Sequence, residues 1–175
     1  AMRESVRHIV GVQLRNLATV GGSLYSRFGF SDVLTMFLVL DAQVELYKGG
    51  IVPLSEYAER PKDRDILVRI IVPKKNAKFN YQSVRISQTD IPVLTCAAAR
   101  LQDGSYRFAV GARPLKAVLY EEPAAPAQQL AETIQQQVVT GSNMRGSAEY
   151  RRHLTGVLVR RAAEELENRA VQEGN

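Results

Sequence analysis

A pair of glycines flanked by hydroxyl side chains is the stretch of this sequence best suited to holding a ligand. Gly21 and Gly22 allow backbone N–H groups to come close to a phosphate or another ligand oxygen, and Thr19 and Ser23 add hydroxyl donors. Asp32 follows nine residues later and offers a further polar contact. The alternative is structural: the glycines form a tight turn, and Asp32 is a first-turn charge that interacts favourably with a helix dipole.

The composition indicates a folded chain and argues against several classes of protein. The 175 residues are 45% hydrophobic and 23% charged, close to globular averages. No apolar run is long enough to span a bilayer, no secretory signal is visible, and a single cysteine, Cys96, suits a reducing compartment. We therefore expect a cytoplasmic protein without a membrane partner. Two histidines, His8 and His153, without a Cys–His cluster argue against a metal site.

The net charge of +5 suggests nucleic-acid binding as one class of function. The positive residues, however, are spread out, and doublets such as Arg151–Arg152 and Arg160–Arg161 do not form a continuous basic stripe with interleaved aromatic residues. Glu164 and Glu165 follow one turn after the last doublet and partly neutralise that helix face. We therefore expect the positive residues to lie on a solvated surface and the protein to have no nucleic-acid partner. The alternative use of this charge is to bind a cofactor phosphate or an acidic partner.

Apolar periodicity predicts an α+β chain whose two parts meet at a polar stretch near residues 74–78. In the first part we expect a short helix ending at Gly11, a turn at residues 18–23, a buried helix at 33–40 capped by Ser31, strands at 43–47 and 66–72, and a helical turn at 53–57. In the second part we expect three antiparallel strands at 79–86, 93–101 and 106–111, a helix at 130–138 and a long amphipathic helix at 150–170.

Four segments in this order resemble the flavin subunit of the molybdenum hydroxylases, the family of xanthine dehydrogenase and carbon monoxide dehydrogenase. They are Leu14–Ser23, with the sequence LRNLATVGGS; Leu40–Leu46 followed by Val52-Pro53-Leu54; Asp65–Leu67 leading to Val72-Pro73, Tyr81 and Asp90-Ile91; and Met144–Arg152 running into Val157–Ala162. Each segment is weak by itself. Together they span almost the whole chain and are fairly specific.

The resemblance implies a fold and a cofactor. Residues 1–77 correspond to the latter part of a PCMH-type FAD-binding domain. Residues 78–175 correspond to a CO dehydrogenase flavoprotein-like C-terminal domain, with a three-stranded antiparallel sheet packed against helices. The residues that the resemblance places against FAD are Thr19, Val20, Gly21, Gly22, Ser23, Asp32 and Leu67. For Leu67, which would border the flavin ring, a place in the core of a strand is the alternative.

The resemblance also implies an oxidoreductase subunit that transfers electrons. In the family, a molybdopterin-binding large subunit hydroxylates a substrate such as a purine. Electrons then pass through an iron–sulfur small subunit to FAD, and from there to NAD or another acceptor. The flavin carries the chemistry, so we predict no catalytic side chain and expect Cys96 to be a buried core residue. A homo-oligomer of the subunit is a further assembly that the sequence allows.

Several departures from the family pattern bear on flavin binding. Ser23 stands where the family usually has Asn, residues 25–31 lack the usual Ser-Pro, and Gln82-Ser83 stand where some members have a flavin-contacting lysine. No counterpart of the family's pyrophosphate-wrapping loop occurs in the sequence, so we expect an N-terminally truncated subunit that holds FAD poorly or not at all by itself. The alternative function is a non-redox scaffold or assembly protein with the same fold that has lost flavin binding.

Overall fold

The N-terminal part begins with four helices, and the computed structural model describes residues 1–173. The helices are α1 Met2–Arg7, α2 Val12–Leu17, α3 Val20–Tyr25 and α4 Asp32–Val39. Helix α4 is buried along its entire length, as its apolar sequence predicts, and the Ser31 hydroxyl caps it by accepting a hydrogen bond from the Leu34 N–H (3.2 Å).

The stretch around Gly21 and Gly22 is helical, so the predicted turn at residues 18–23 is wrong. Thr19 is the N-cap of α3, and its Oγ1 accepts a hydrogen bond from the Gly22 N–H (2.9 Å). The Ser23 N–H donates to the Thr19 carbonyl (3.1 Å) and closes the first turn. The cap supplies an acceptor to the helix end, which offsets the low helix propensity of two adjacent glycines.

A small antiparallel sheet follows α4. Its strands are β1 Gln43–Leu46, β2 Gly50–Pro53 and β3 Leu67–Ile71, in the order β2-β1-β3, with helix α5 Leu54–Glu59 after β2. Strand β1 alternates between the core and the surface, with Val44 and Leu46 fully inside. Gly50 has a positive φ of 66° at the β1–β2 turn, a conformation that glycine adopts without strain.

The second part contains a four-stranded antiparallel sheet, one strand more than predicted. Its strands, in sheet order, are β4 Lys78–Val84, β5 Leu94–Arg100, β6 Tyr106–Gly111 and β7 Val118–Glu122. The α+β class is confirmed, and the hairpin at Asp103-Gly104 joins β5 to β6 with Gly104 at a φ of 85°. Strand β7 was not predicted. It is a short edge strand that is half-buried on both faces and ends in two glutamates, so its sequence lacks a clear alternation of apolar and polar residues.

This sheet is covered on both faces. Helix α4 packs on one face and helix α7 Ala148–Glu173 on the other, while helix α6 Ala127–Gln137 packs against α7 and belongs to the same core. The central strand β5 is buried from Leu94 to Ala99. Ala97 and Ala99 belong to the core on the α4 side, while Cys96 and Ala98 belong to the core beneath α6 and α7. Its small side chains let elements approach closely from both sides, and Cys96 is a core residue as expected.

Helix α7 confirms the long amphipathic helix predicted from the four-residue spacing of its apolar residues. Within residues 1–173, no helix combines the length and the hydrophobicity that crossing a membrane would require.

Candidate functional site

A groove of about 460 Å³ lies between helix α3 and the start of strand β3. Three of the residues predicted to contact FAD line it together: Gly21 and Gly22 from α3, and Leu67 from β3. In the sequence, α4, β1, β2 and α5 lie between α3 and β3. The groove therefore joins segments that are distant in the sequence.

The two glycines leave the α3 wall of the groove without side chains. A Cβ atom added at Gly21 would meet no other atom within 4 Å, so it would stand in open space. A Cβ added at Gly22 would lie 3.0 Å from Thr19 Oγ1, the atom that caps the helix. The space beside Gly21 is thus free of other atoms, whereas the lack of a side chain at Gly22 leaves room for the cap.

The other predicted residues of this segment lie on α3 but outside the groove lining. Thr19 and Val20 are exposed, and the Thr19 hydroxyl oxygen is already occupied as the N-cap acceptor. The Ser23 hydroxyl donates to the Thr19 carbonyl (3.1 Å), so both hydroxyls serve the helix itself. Of the predicted segment, it is the glycines that face the groove.

Tyr25, Asp65 and Ile66 also line the groove, and none of the three was predicted to contact FAD. The Tyr25 hydroxyl donates to the Asp65 carbonyl (3.2 Å) and bridges α3 to the segment before β3. Tyr25 follows Gly21 by one helical turn, so a helix prediction for α3 would have placed both residues on one face.

The Asp65 carboxylate holds the β1–β2 turn in place. It accepts hydrogen bonds from the backbone N–H groups of Lys48 (3.0 Å) and Gly49 (2.8 Å), and also from Ile66 (2.8 Å). The pKa of Asp65 is lowered, because the Lys48 hydrogen bond, followed by those from Ile66 and Gly49, favours the ionised carboxylate over the penalty of desolvation. This group is therefore an anion that organises the groove wall.

Asp32 lies elsewhere, buried between helix α4 and strand β4. Its carboxylate accepts hydrogen bonds from the Tyr81 hydroxyl and from the Arg85 guanidinium, whose side chain is itself only 8% exposed. Burial, followed by repulsion from the Asp32 charge, raises the pKa of Tyr81 well above its ordinary value, so the phenol stays protonated and donates. Asp32 is engaged in an internal ion pair, and its predicted contact with a flavin stays a prediction.

The groove suits the flat, largely apolar part of a flavin better than a charged group. Leu67 and Ile66 give it an aliphatic wall, Tyr25 adds an aromatic ring, and Gly21 leaves room for a ligand to approach the helix backbone. No cationic side chain lines the groove within the described residues 1–173. The residues present therefore fit a flavin ring or its adjoining chain more readily than a pyrophosphate.

Family models match both parts of the chain. The FAD binding domain in molybdopterin dehydrogenase matches residues 1–75, and the CO dehydrogenase flavoprotein C-terminal domain matches residues 79–166. Among curated proteins, YgfM of Escherichia coli K12, an uncharacterized protein, is 28% identical over 162 residues, which is 91% of this chain and 62% of YgfM. The xanthine dehydrogenase FAD-binding subunit of Escherichia coli O157:H7 is 28% identical over 193 residues, covering 94% of this chain and 65% of that protein.

Solved structures share the fold. Quinoline 2-oxidoreductase from Pseudomonas putida 86 superposes with a TM-score of 0.80 at 19% identity, covering 95% of this chain and 66% of that chain. Carbon monoxide dehydrogenase from Hydrogenophaga pseudoflava gives a TM-score of 0.81 with the same identity and coverage. The chain thus spans somewhat less than two thirds of the length of these relatives. The two domain matches, in the order that the four sequence segments predicted, show that it belongs to the FAD-binding subunit family of the molybdenum hydroxylases, whose cofactor is FAD.

Proposed function

We propose that this chain supplies one wall of the FAD site in the flavin subunit of a molybdenum-dependent dehydrogenase. The parent enzyme would resemble xanthine dehydrogenase, with electrons passing from iron–sulfur clusters through FAD to NAD or another acceptor. The observation that carries the proposal is the groove between α3 and β3, in which Gly21, Gly22 and Leu67 meet although they are remote in the sequence.

The chain's own residues would position the flavin and shield it from water. When bound, FAD supplies the electron-carrying chemistry, and the protein supplies position and electrostatics. Gly21 leaves space at the α3 backbone, and Leu67 and Ile66 cover one side of the groove with aliphatic surface. Tyr25 is held by its hydrogen bond to the Asp65 carbonyl, so its position does not depend on the ligand.

The partners and the domain boundary are parts of the same proposal. We place the boundary between the FAD-binding part and the C-terminal part near residues 77–78, after an irregular segment at residues 72–77. The proposed partners are a molybdopterin-binding large subunit and an iron–sulfur small subunit. Because the groove has no cationic side chain among the described residues, we expect this chain alone to hold FAD weakly, with a Kd above roughly 100 µM.

The proposal is tested by titrating the isotope-labelled full chain with FAD and recording amide chemical shifts, a method that detects weak binding. We expect changes centred on the amides of residues 20–22 and 66–67, and none with ADP, which lacks the flavin. Equal changes with ADP would show that the groove holds the nucleotide half instead. No change at millimolar FAD, or changes remote from the groove, would contradict the proposed site.

A second function is favoured by one observation. Asp32, predicted as a polar contact of the flavin, has its carboxylate engaged by Tyr81 and Arg85. A scaffold or assembly protein that keeps the fold without the flavin would retain this ion pair for stability alone. The same titration separates the two functions, because a scaffold would show no flavin-specific shift in the groove.

A further inference from the structure

A second and larger groove, of about 770 Å³, runs along the outer edge of strand β4. Helix α1 and helix α7 form its two sides, and residues 79–88 form its floor. We call it the β4 groove. It is separate from the groove between α3 and β3, and the two have no lining residue in common.

The floor of the β4 groove is the edge of a sheet. Strand β4 is the terminal strand, and in the part of the chain that the structure describes it pairs with no strand besides β5. The Phe79 carbonyl points away from β5, since it accepts a hydrogen bond from Arg169 Nη1 on α7 (3.4 Å). By the alternation of an antiparallel ladder, the backbone groups of Tyr81 and Ser83 face the same way. An edge of this kind pairs readily with another extended chain.

Among residues 1–173, one arginine of the β4 groove is left without a counter-charge. Four arginines and His8 line the groove, together with two carboxylates, Glu4 and Glu165. Most of the arginines are paired: Arg7 with Glu4, Arg169 with Glu165, and Arg85 with the buried Asp32. Arg161 is exposed and has no carboxylate within ion-pair distance in the part of the chain that the structure describes. This free cation favours an acidic occupant.

Three buried polar atoms beside the β4 groove have no hydrogen-bond partner in the described part of the chain: Asn80 Oδ1, His8 Nδ1 and Arg85 Nε. They are enclosed by the protein, so they are not the groups that an occupant of the groove would contact. The groups that it would contact are the outward backbone N–H and C=O groups of β4, and a polypeptide backbone carries a matching acceptor and donor on every residue except proline.

We propose that the β4 groove binds an extended, acidic segment of a partner polypeptide, which adds to the sheet as a fifth strand beside β4. The seven residues of β4 span roughly 23 Å, which accommodates a segment of similar length. Backbone pairing would supply affinity, and contacts between glutamate or aspartate side chains and Arg161 would select acidic segments. The flanking helices explain why this edge, and not the exposed edge at β7, is a binding groove.

The proposal is tested with a fluorescent peptide of alternating valine and glutamate, about as long as β4, titrated with the full chain and followed by fluorescence anisotropy. We expect binding that weakens as salt is added, because exposed charges are screened. Arg161→Glu should weaken binding about tenfold, since it replaces an attraction by a repulsion. Arg160→Glu is the matched control: it makes the same charge change one residue away on α7, outside the groove lining, and should leave the affinity unchanged.

Strand pairing is tested separately by methylating alternate backbone nitrogens of the peptide, which removes the donors needed on one edge. The methylated peptide should not bind, and amide shifts caused by the parent peptide should fall on Phe79, Tyr81 and Ser83. Equal binding of the methylated peptide, equal loss in Arg160→Glu and Arg161→Glu, or no binding at millimolar peptide would each overturn the proposal. A concentration-dependent dimer that competes with the peptide would instead assign the groove to a second copy of this chain.

Discussion

Replacing Gly21 by leucine should raise the stability of this protein while it lowers flavin affinity. Gly21 is the second residue of the six-residue helix α3, and glycine in a helix is at most about 1 kcal/mol less favourable than alanine, while leucine is close to alanine. Among the described residues, a Cβ at this position meets no atom within 4 Å, so the first carbon of the new side chain causes no clash. For a chain of this size, the melting temperature should rise by up to about 4 °C.

The same side chain should obstruct the groove between α3 and β3, where we propose that the flavin binds. Leucine at position 21 would extend from the α3 wall into a space of about 460 Å³ that Leu67 borders on the opposite side. We expect the Kd for FAD to rise at least tenfold, a loss of about 1.4 kcal/mol. Urea unfolding measures the stability change, and amide shift titration with FAD measures the affinity of each variant.

The control is Gln13→Leu, which adds the same side chain to an exposed position on neighbouring helix α2, outside the groove lining. It should leave flavin affinity unchanged. If Gly21→Leu bound FAD as tightly as the unmodified chain, the placement of the flavin against α3 would be refuted. If the variant were less stable, the helical conformation and open surroundings of Gly21 would be wrong.

Three further substitutions or reactions test the packing around the site. Gly111→Ala should destabilise the chain by about 1–3 kcal/mol in urea unfolding, because the new methyl group collides with two buried threonine hydroxyls between α4 and the sheet. Arg85→Met should cost about 3–5 kcal/mol in the same assay, since it leaves the Asp32 carboxylate buried without its cation. Burial raises the pKa of Cys96 to about 12, so its alkylation at neutral pH should occur only as fast as the chain unfolds; rapid labelling of the folded protein would contradict this.

Local patterns predicted most of the elements. The Ser31 cap, the buried apolar helix after it and the four-residue repeat of α7 all appear where the sequence places them. These features depend on neighbours along the chain, such as a hydroxyl and an N–H three residues later. Prediction failed where local preference was weak or misleading, as at the glycine pair of α3 and at strand β7.

The candidate site could be predicted only in part. Similarity of the segments to a known family suggested Gly21, Gly22 and Leu67, and these residues share one groove. Tyr25 and Asp65 were missed, because their contribution depends on a hydrogen bond between α3 and the segment before β3. The engagement of Asp32 by Arg85 was equally hidden, because the two residues are 53 positions apart in the sequence.

The sequence by itself therefore determined the family, the α+β class and the order of nearly all elements, since periodicity and capping act over a few residues. Only the tertiary structure decided which polar groups have a hydrogen-bond or ion-pair partner. The Asp32 carboxylate is buried against the Arg85 cation, whereas Asn80 Oδ1, on the edge strand β4, has no hydrogen-bond partner among the described residues. The physical reason is that pairing of buried polar groups depends on contacts between segments far apart in the chain, whose geometry no local pattern encodes.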